Sequence, residues 1–156
     1  MHLTNRFASA VDYARIAHTG QLRKGTRIPY FAHLIGVASL VLDYGGDEDQ
    51  AIAGLLHDLL EDCGEEHEPA IREEFGERVA LIVRACTDGT AESKAGEETE
   101  EARLANWFVR KRAYLAHLGK AGDDVLLVSA CDKLHNARAI LPVSYTHLTL
   151  PTICSV

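Results

Sequence analysis

AIAGLLHDLLED, residues 51–62, sets His57 and Asp58 side by side in an apolar run and closes on Glu61 and Asp62. The stretch reads as one helix of Ala, Ile, Gly and Leu carrying four ionisable groups in its last six residues. Packing does not explain them, because a buried ionisable group costs several kcal/mol (roughly) unless it is paired or bound to a metal. Imidazole and carboxylate are ordinary ligands of divalent ions, so a metal would remove the cost. The rest of the chain is then read for further ligands.

Working outward, the apolar spacing predicts helices almost throughout, and the fold class is all-α. A first helix is expected over residues 3–18, with Phe7, Val11 and Ala14 on one face. Gly20, Gly25 and Pro29 mark a loop. A second helix should run from Phe31 to Tyr44 and stop at Gly45 and Gly46. The third begins near Asp47 or Glu48 and continues through Asp62. A short fourth carries Pro69 in its first turn, and a fifth spans Glu77 to Cys86. Residues 87–101 lack an apolar period and read as an acidic loop. A sixth helix is expected over residues 102–118, and a seventh after Asp123 and Asp124, whose charges suit a helix N-terminus.

After Arg138 the chain holds no Asp, Glu, Lys or Arg, and threonine and β-branched residues become dense. Residues 142–156 resemble a string that recurs at the ends of unrelated metagenomic reading frames. The expectation is one domain over residues 1–141, followed by a poorly ordered, non-native tail.

The 156 residues, 47% apolar, suit a single core. The net charge of −7 argues against a general nucleic-acid binder. Residues 1–30 hold five Lys/Arg against one acid, residues 31–101 four against nineteen, and residues 102–156 seven against three. An acidic middle flanked by basic ends would set a cation site beside an anion site; the plainer alternative is ordinary solvated helix faces. No apolar run is long enough for a membrane span, and no signal peptide is visible. The four cysteines form no C-x-x-C pair. A cytoplasmic protein with reduced thiols is expected.

His33 falls in the stripe of Val37, Leu40, Val41 and Tyr44, and Asp132 interrupts the apolar run that begins at Val125. Alone, His33 reads as a core or boundary residue, and Asp132 as half of an ion pair or a helix cap. With His57 and Asp58 they make two imidazoles and two carboxylates on three helices. Such a set can hold one divalent ion and leave positions open for water and substrate. His57 and Asp58 differ by about 100° around a helix, and the long imidazole and short carboxylate would converge near its end. The ligand types suit Mn²⁺, Fe²⁺, Zn²⁺ or Mg²⁺.

The order H…HD…D resembles the HD superfamily of metal-dependent phosphohydrolases. AHTGQLRKGTRIPYFAHLIGVA, AGLLHDLLED and SACDKLHNAR resemble the hydrolase domain of RelA/SpoT-type alarmone enzymes, and the single-domain length resembles the small alarmone hydrolases. The match covers about residues 7–141. The resemblance implies an HD-domain helical bundle and His33, His57, Asp58 and Asp132 as metal ligands, usually of Mn²⁺. It implies that Glu61 and Asp62 position and activate the attacking water. It places Arg23 and Lys24 in the substrate loop and Asn136 in the nucleotide pocket. The residue-level alternatives are that Glu61 and Asp62 cap a helix, and that Arg23, Lys24 and Arg27 are a solvated loop. His135 is a candidate pocket residue, and His18 a support of the loop. His2, His67, His117 and His147 read as surface residues.

The implied reaction is removal of the 3′-pyrophosphate from ppGpp or pppGpp, leaving GDP or GTP. The partner is thus a guanosine polyphosphate, with no nucleic acid or membrane. Another nucleotide, such as NADPH or a deoxynucleotide, and a non-catalytic nucleotide-binding module are the alternatives. Two departures from the family pattern stand out. Leu34 follows His33 where proline is usual, and the family-like sequence stops near Leu141, short of the helices that would close the bundle. Exposed apolar surface on the first and seventh helices is the expected consequence.

Overall fold

In the computed structural model, which describes residues 2–87 and 100–140, two helices start where the sequence supplies a side-chain cap. The Thr4 hydroxyl accepts from the Arg6 amide to open α1 (Asn5–Ala17). Asp47 and Gln50 cap α3 (Glu48–Leu56) reciprocally, each side chain accepting from the other's backbone N–H at 3.0 and 2.8 Å. The remaining helices are α2 (Phe31–Asp43), α4 (Leu59–Asp62), α5 (His67–Phe75), α6 (Glu77–Cys86), α7 (Glu100–Leu118) and α8 (Asp123–Ile140). The fold is all-α. Among the described residues the sole extended pairing is an isolated bridge between Leu22 and Pro29, within the loop that joins α1 to α2.

α3 is the axis of the bundle. It packs against α1, α2, α6 and α8, and every residue from Gln50 to Leu56 is buried. That position explains the unbroken apolar run from Ala51 to Leu56, since a helix surrounded on all sides has no solvent face. Gly54 lets α2 come close: a Cβ there would stand 3.3 Å from the Ala38 Cα. Leu34, Val37 and Val41 of α2 and Val79 and Val83 of α6 complete the core around it, with Val128 of α8.

The expected third helix is two helices. Regular winding ends at Leu56, and Asp58 sits at φ −94°, ψ −2° before α4 begins. A continuous helix would hold neighbouring side chains about 100° apart. The break instead brings both side chains to bear on one point, as described below. The other predicted helices agree within two residues at their ends. The acidic loop at 87–101 and the tail at 142–156 fall largely or wholly outside the described residues. Ile16 on α1 and Leu126 on α8 are 60% and 40% exposed. No helix among the described residues is long and apolar enough to cross a membrane.

Candidate metal centre

Three elements aim four side chains at one buried point. His33 comes from the first turn of α2, His57 and Asp58 from the break between α3 and α4, and Asp132 from the middle of α8. Asp58 Oδ2 lies 3.0 Å from His57 Nε2 and 3.6 Å from His33 Nε2. Asp132 Oδ1 lies 3.2 Å from His33 Nε2 and 3.5 Å from His57 Nε2. Ligand atoms of His33, His57 and Asp58 fall within 4.8 Å of one another, close enough to share one ion.

The hydrogen bonding of His57 tests whether a cation fits. Its Nδ1 lies 2.9 Å from the Gly54 carbonyl oxygen, which can only accept, so the ring proton is on Nδ1. Nε2 is buried without a hydrogen-bond partner and faces two carboxylates, a position that a proton or a metal ion can fill. Two buried carboxylates around one nitrogen are unfavourable unless a positive charge lies between them, either the imidazolium's own proton or a cation in its place. The ionisation of the cluster reflects the same demand. Burial opposes charge on His57, but the Asp58 carboxylate beside it outweighs burial and holds the imidazole well above its ordinary range. Burial likewise opposes charge on Asp58 and Asp132, and the facing histidines outweigh it and hold both carboxyls well below theirs. The donor set, two imidazoles and two carboxylates, fits a divalent ion of borderline hardness.

A family model described as HD domain matches residues 10–148. The chain belongs to the HD domain family. It is 39% identical over 132 residues to a guanosine-3′,5′-bis(diphosphate) 3′-pyrophosphohydrolase of Aquifex aeolicus, covering 84% of this chain and 17% of that protein. It is 33% identical over 132 residues to the guanosine-3′,5′-bis(diphosphate) 3′-pyrophosphohydrolase MESH1 of Xenopus tropicalis, covering 83% and 66%. A solved structure, described as a metazoan orthologue of SpoT that hydrolyses ppGpp, superposes with a TM-score of 0.71 at 29% identity, covering 88% and 71%. The chain thus spans about a sixth of the length of the long bacterial relatives it matches.

Around the centre of this HD domain, the structure sorts the remaining candidates. Lys24 and Asp62 line one open cleft of about 450 Å³, together with Gln21, Leu22 and Tyr30. Glu61 is half-buried on α4, one turn beyond His57. Arg23 does not share that cleft with Lys24; its Nη2 donates to Asn136 Oδ1 at 2.8 Å. Asn136 Nδ2 in turn donates to Asp132 Oδ1 at 2.6 Å, so Asn136 touches a candidate ligand directly. His18 is buried, meets Gln21 Oε1 through Nδ1 at 2.7 Å and stacks on Tyr30, which braces the loop as expected. His67 is not a plain surface residue, because its Nδ1 meets the Tyr13 hydroxyl at 2.8 Å.

Two neighbours of the centre escaped the sequence reading. The Tyr30 hydroxyl donates to Asp58 Oδ2 at 2.5 Å, and burial and that carboxylate push the phenol far above its ordinary range. Lys133 Nζ lies 2.5 Å from Asp132 Oδ2. A signal for Tyr30 was present: it precedes His33 by three residues, the spacing of side chains on one helix face. Nothing in the sequence distinguishes Lys133 from a solvated lysine.

Proposed function

We propose that this HD domain hydrolyses the 3′-pyrophosphate of ppGpp or pppGpp, leaving GDP or GTP, with Mn²⁺ held by His33, His57, Asp58 and Asp132. The observation that carries the reading is the buried His57 Nε2, unpartnered and facing the carboxylates of Asp58 and Asp132. The substrate class comes from the relatives named above, the MESH1 protein and the solved structure in particular. When bound, a divalent ion lowers the pKa of a water molecule and polarises a phosphoryl oxygen.

The chain's own groups supply the rest. Glu61 and Asp62 follow the ligand pair on α4, where a carboxylate can take a proton from the attacking water. Lys24 shares its cleft with Asp62 and Tyr30, so its ammonium can meet the charge of the leaving pyrophosphate beside the base. Tyr30 holds Asp58 in place through its hydroxyl.

The test is incubation of the purified chain with ppGpp and a panel of other nucleotides, with and without Mn²⁺, beside Asp58→Asn. Mn²⁺-dependent pyrophosphate release from ppGpp, absent in the variant, is expected. Release without metal, or equal release by the variant, refutes the mechanism. Release from another nucleotide alone refutes the substrate assignment.

A further inference from the structure

The metal ligands are joined to the loop between α1 and α2 by a closed ring of side chains. His33 Nδ1 lies 2.9 Å from His135 Nδ1. Arg23 Nη1 lies 3.4 Å from that same His135 nitrogen, and its Nη2 donates to Asn136 Oδ1 at 2.8 Å. Asn136 Nδ2 donates to Asp132 Oδ1 at 2.6 Å, and Asp132 Oδ1 returns to His33 Nε2 at 3.2 Å. Five side chains from a loop and two helices thus close on themselves.

The protons can be assigned around the ring. A histidine that offers Nε2 to a metal keeps its proton on Nδ1, and that N–H needs an acceptor. For His57 the acceptor is the Gly54 carbonyl. For His33 it is His135 Nδ1, whose proton therefore lies on Nε2. Arg23 can only donate, which agrees with a lone pair on His135 Nδ1. Asn136 is oriented by the same logic: its oxygen faces the guanidinium and its amide faces the carboxylate.

The backbone makes room for this arrangement at one glycine. A Cβ built on Gly36 would stand 2.2 Å from His135 Nε2 and 2.4 Å from its Cδ2. The His135 ring therefore occupies the volume that any other residue at position 36 would fill. Glycine in the middle of a helix costs about 1 kcal/mol relative to alanine, so its presence in α2 calls for such a reason.

We propose that His135 and Arg23 are positioning residues for the metal centre: His135 orients His33 by accepting its Nδ1 proton, and Arg23 locks His135 and Asn136 in register so that the α1–α2 loop and the ligands are ordered together. This rests on the metal reading above. It gives Arg23 a part in ordering the centre before any nucleotide arrives, besides the place in the substrate loop that the resemblance implies.

The experiment is Mn²⁺ titration of the full chain without nucleotide, by electron paramagnetic resonance of free Mn²⁺, with thermal melts of each variant. His135→Phe, which removes the acceptor, should weaken Mn²⁺ binding about 10–100-fold. His135→Asn offers an oxygen near the same place and should restore binding to within about threefold of the parent chain. Gly36→Ala should expel the ring and weaken binding as His135→Phe does, without lowering the melting temperature, because alanine favours the helix. Arg23→Lys keeps the charge but not the two-pronged contact and should weaken binding several-fold. Parental Mn²⁺ affinity in Gly36→Ala and Arg23→Lys overturns the proposal, whether or not His135→Phe folds. Parental affinity in Asp58→Asn overturns the metal reading itself, so the two failures are separable.

Discussion

His57 Nε2 and Asp58 Oδ2 stand 3.0 Å apart although the two residues are adjacent in sequence, and the helix breaks between α3 and α4 to allow it. The Gly54 carbonyl fixes the far side of the imidazole at 2.9 Å, so the inward nitrogen has no freedom to turn away. Two carboxylates and two imidazole nitrogens held in this way draw positive charge to the point they share, as protons on the rings or as a metal ion in their place.

Metal should accordingly stabilise the fold. At about a hundredfold excess over its dissociation constant a single bound ion contributes roughly 2.7 kcal/mol. For a chain of this size the melting temperature should rise on the order of 5–10 °C. Asp58→Asn should abolish the rise. Differential scanning fluorimetry with and without Mn²⁺ checks it, and an equal rise in the variant would count against the site.

Glu61 and Asp62 should separate chemistry from metal binding. Whichever acts as the base should lose about 10²–10⁴-fold in kcat as Glu61→Gln or Asp62→Asn. Mn²⁺ affinity should stay within a few-fold, since the ligands are His33, His57, Asp58 and Asp132. Steady-state kinetics and metal titration together test this. Full turnover in both variants would return the pair to the role of a solvated helix end.

Asp47 should make stability pH-dependent at the acid end. Burial works to raise its pKa, but the Gln50 amide and the Arg78 guanidinium outweigh burial and hold it below the ordinary carboxylate value. A depressed folded-state pKa gives stability that is fully present above the unfolded value, near 4, and is lost as pH falls through the folded one. Asp47→Ala should cost about 1 kcal/mol at pH 7 through the lost cap. Urea melts across pH 7 to 2 should show the gap between the two chains closing as Asp47 protonates. A gap that stays constant would rule out the charged cap.

Gly54 joins packing to the centre, since its missing side chain admits Ala38 and its carbonyl orients His57. Gly54→Val should destabilise the chain by about 1–3 kcal/mol by overpacking the α2–α3 crossing. It should also weaken Mn²⁺ binding by shifting the carbonyl. Denaturant melts paired with metal titration decide it; parental values in both would show that the crossing is looser than its distances imply.

Much of this was legible beforehand because it depends on local pattern. The caps at Asp47, the stop at Gly45 and Gly46, and the α5–α6 boundary at Gly76 follow from residue chemistry within one turn. The candidate ligands stood out because His33, His57, Asp58 and Asp132 interrupt apolar stripes that burial would otherwise keep uncharged. The break after Leu56 was not legible. Leu, His and Asp are all tolerated in a helix, and only convergence on His33 and Asp132 favours unwinding there.

The sequence by itself determined the class of fold, the helix starts and stops other than the break after Leu56, and the residue types available to hold a cation, since these rest on periodicity and on the cost of burying charge. Tertiary structure alone decided which atoms meet. It turned Arg23 away from the Lys24 cleft and onto α8, set Tyr30 on Asp58 and laid His135 over Gly36. Each of these contacts joins residues far apart in sequence or held by a loop. Their distances depend on how helices cross, which no local spacing encodes.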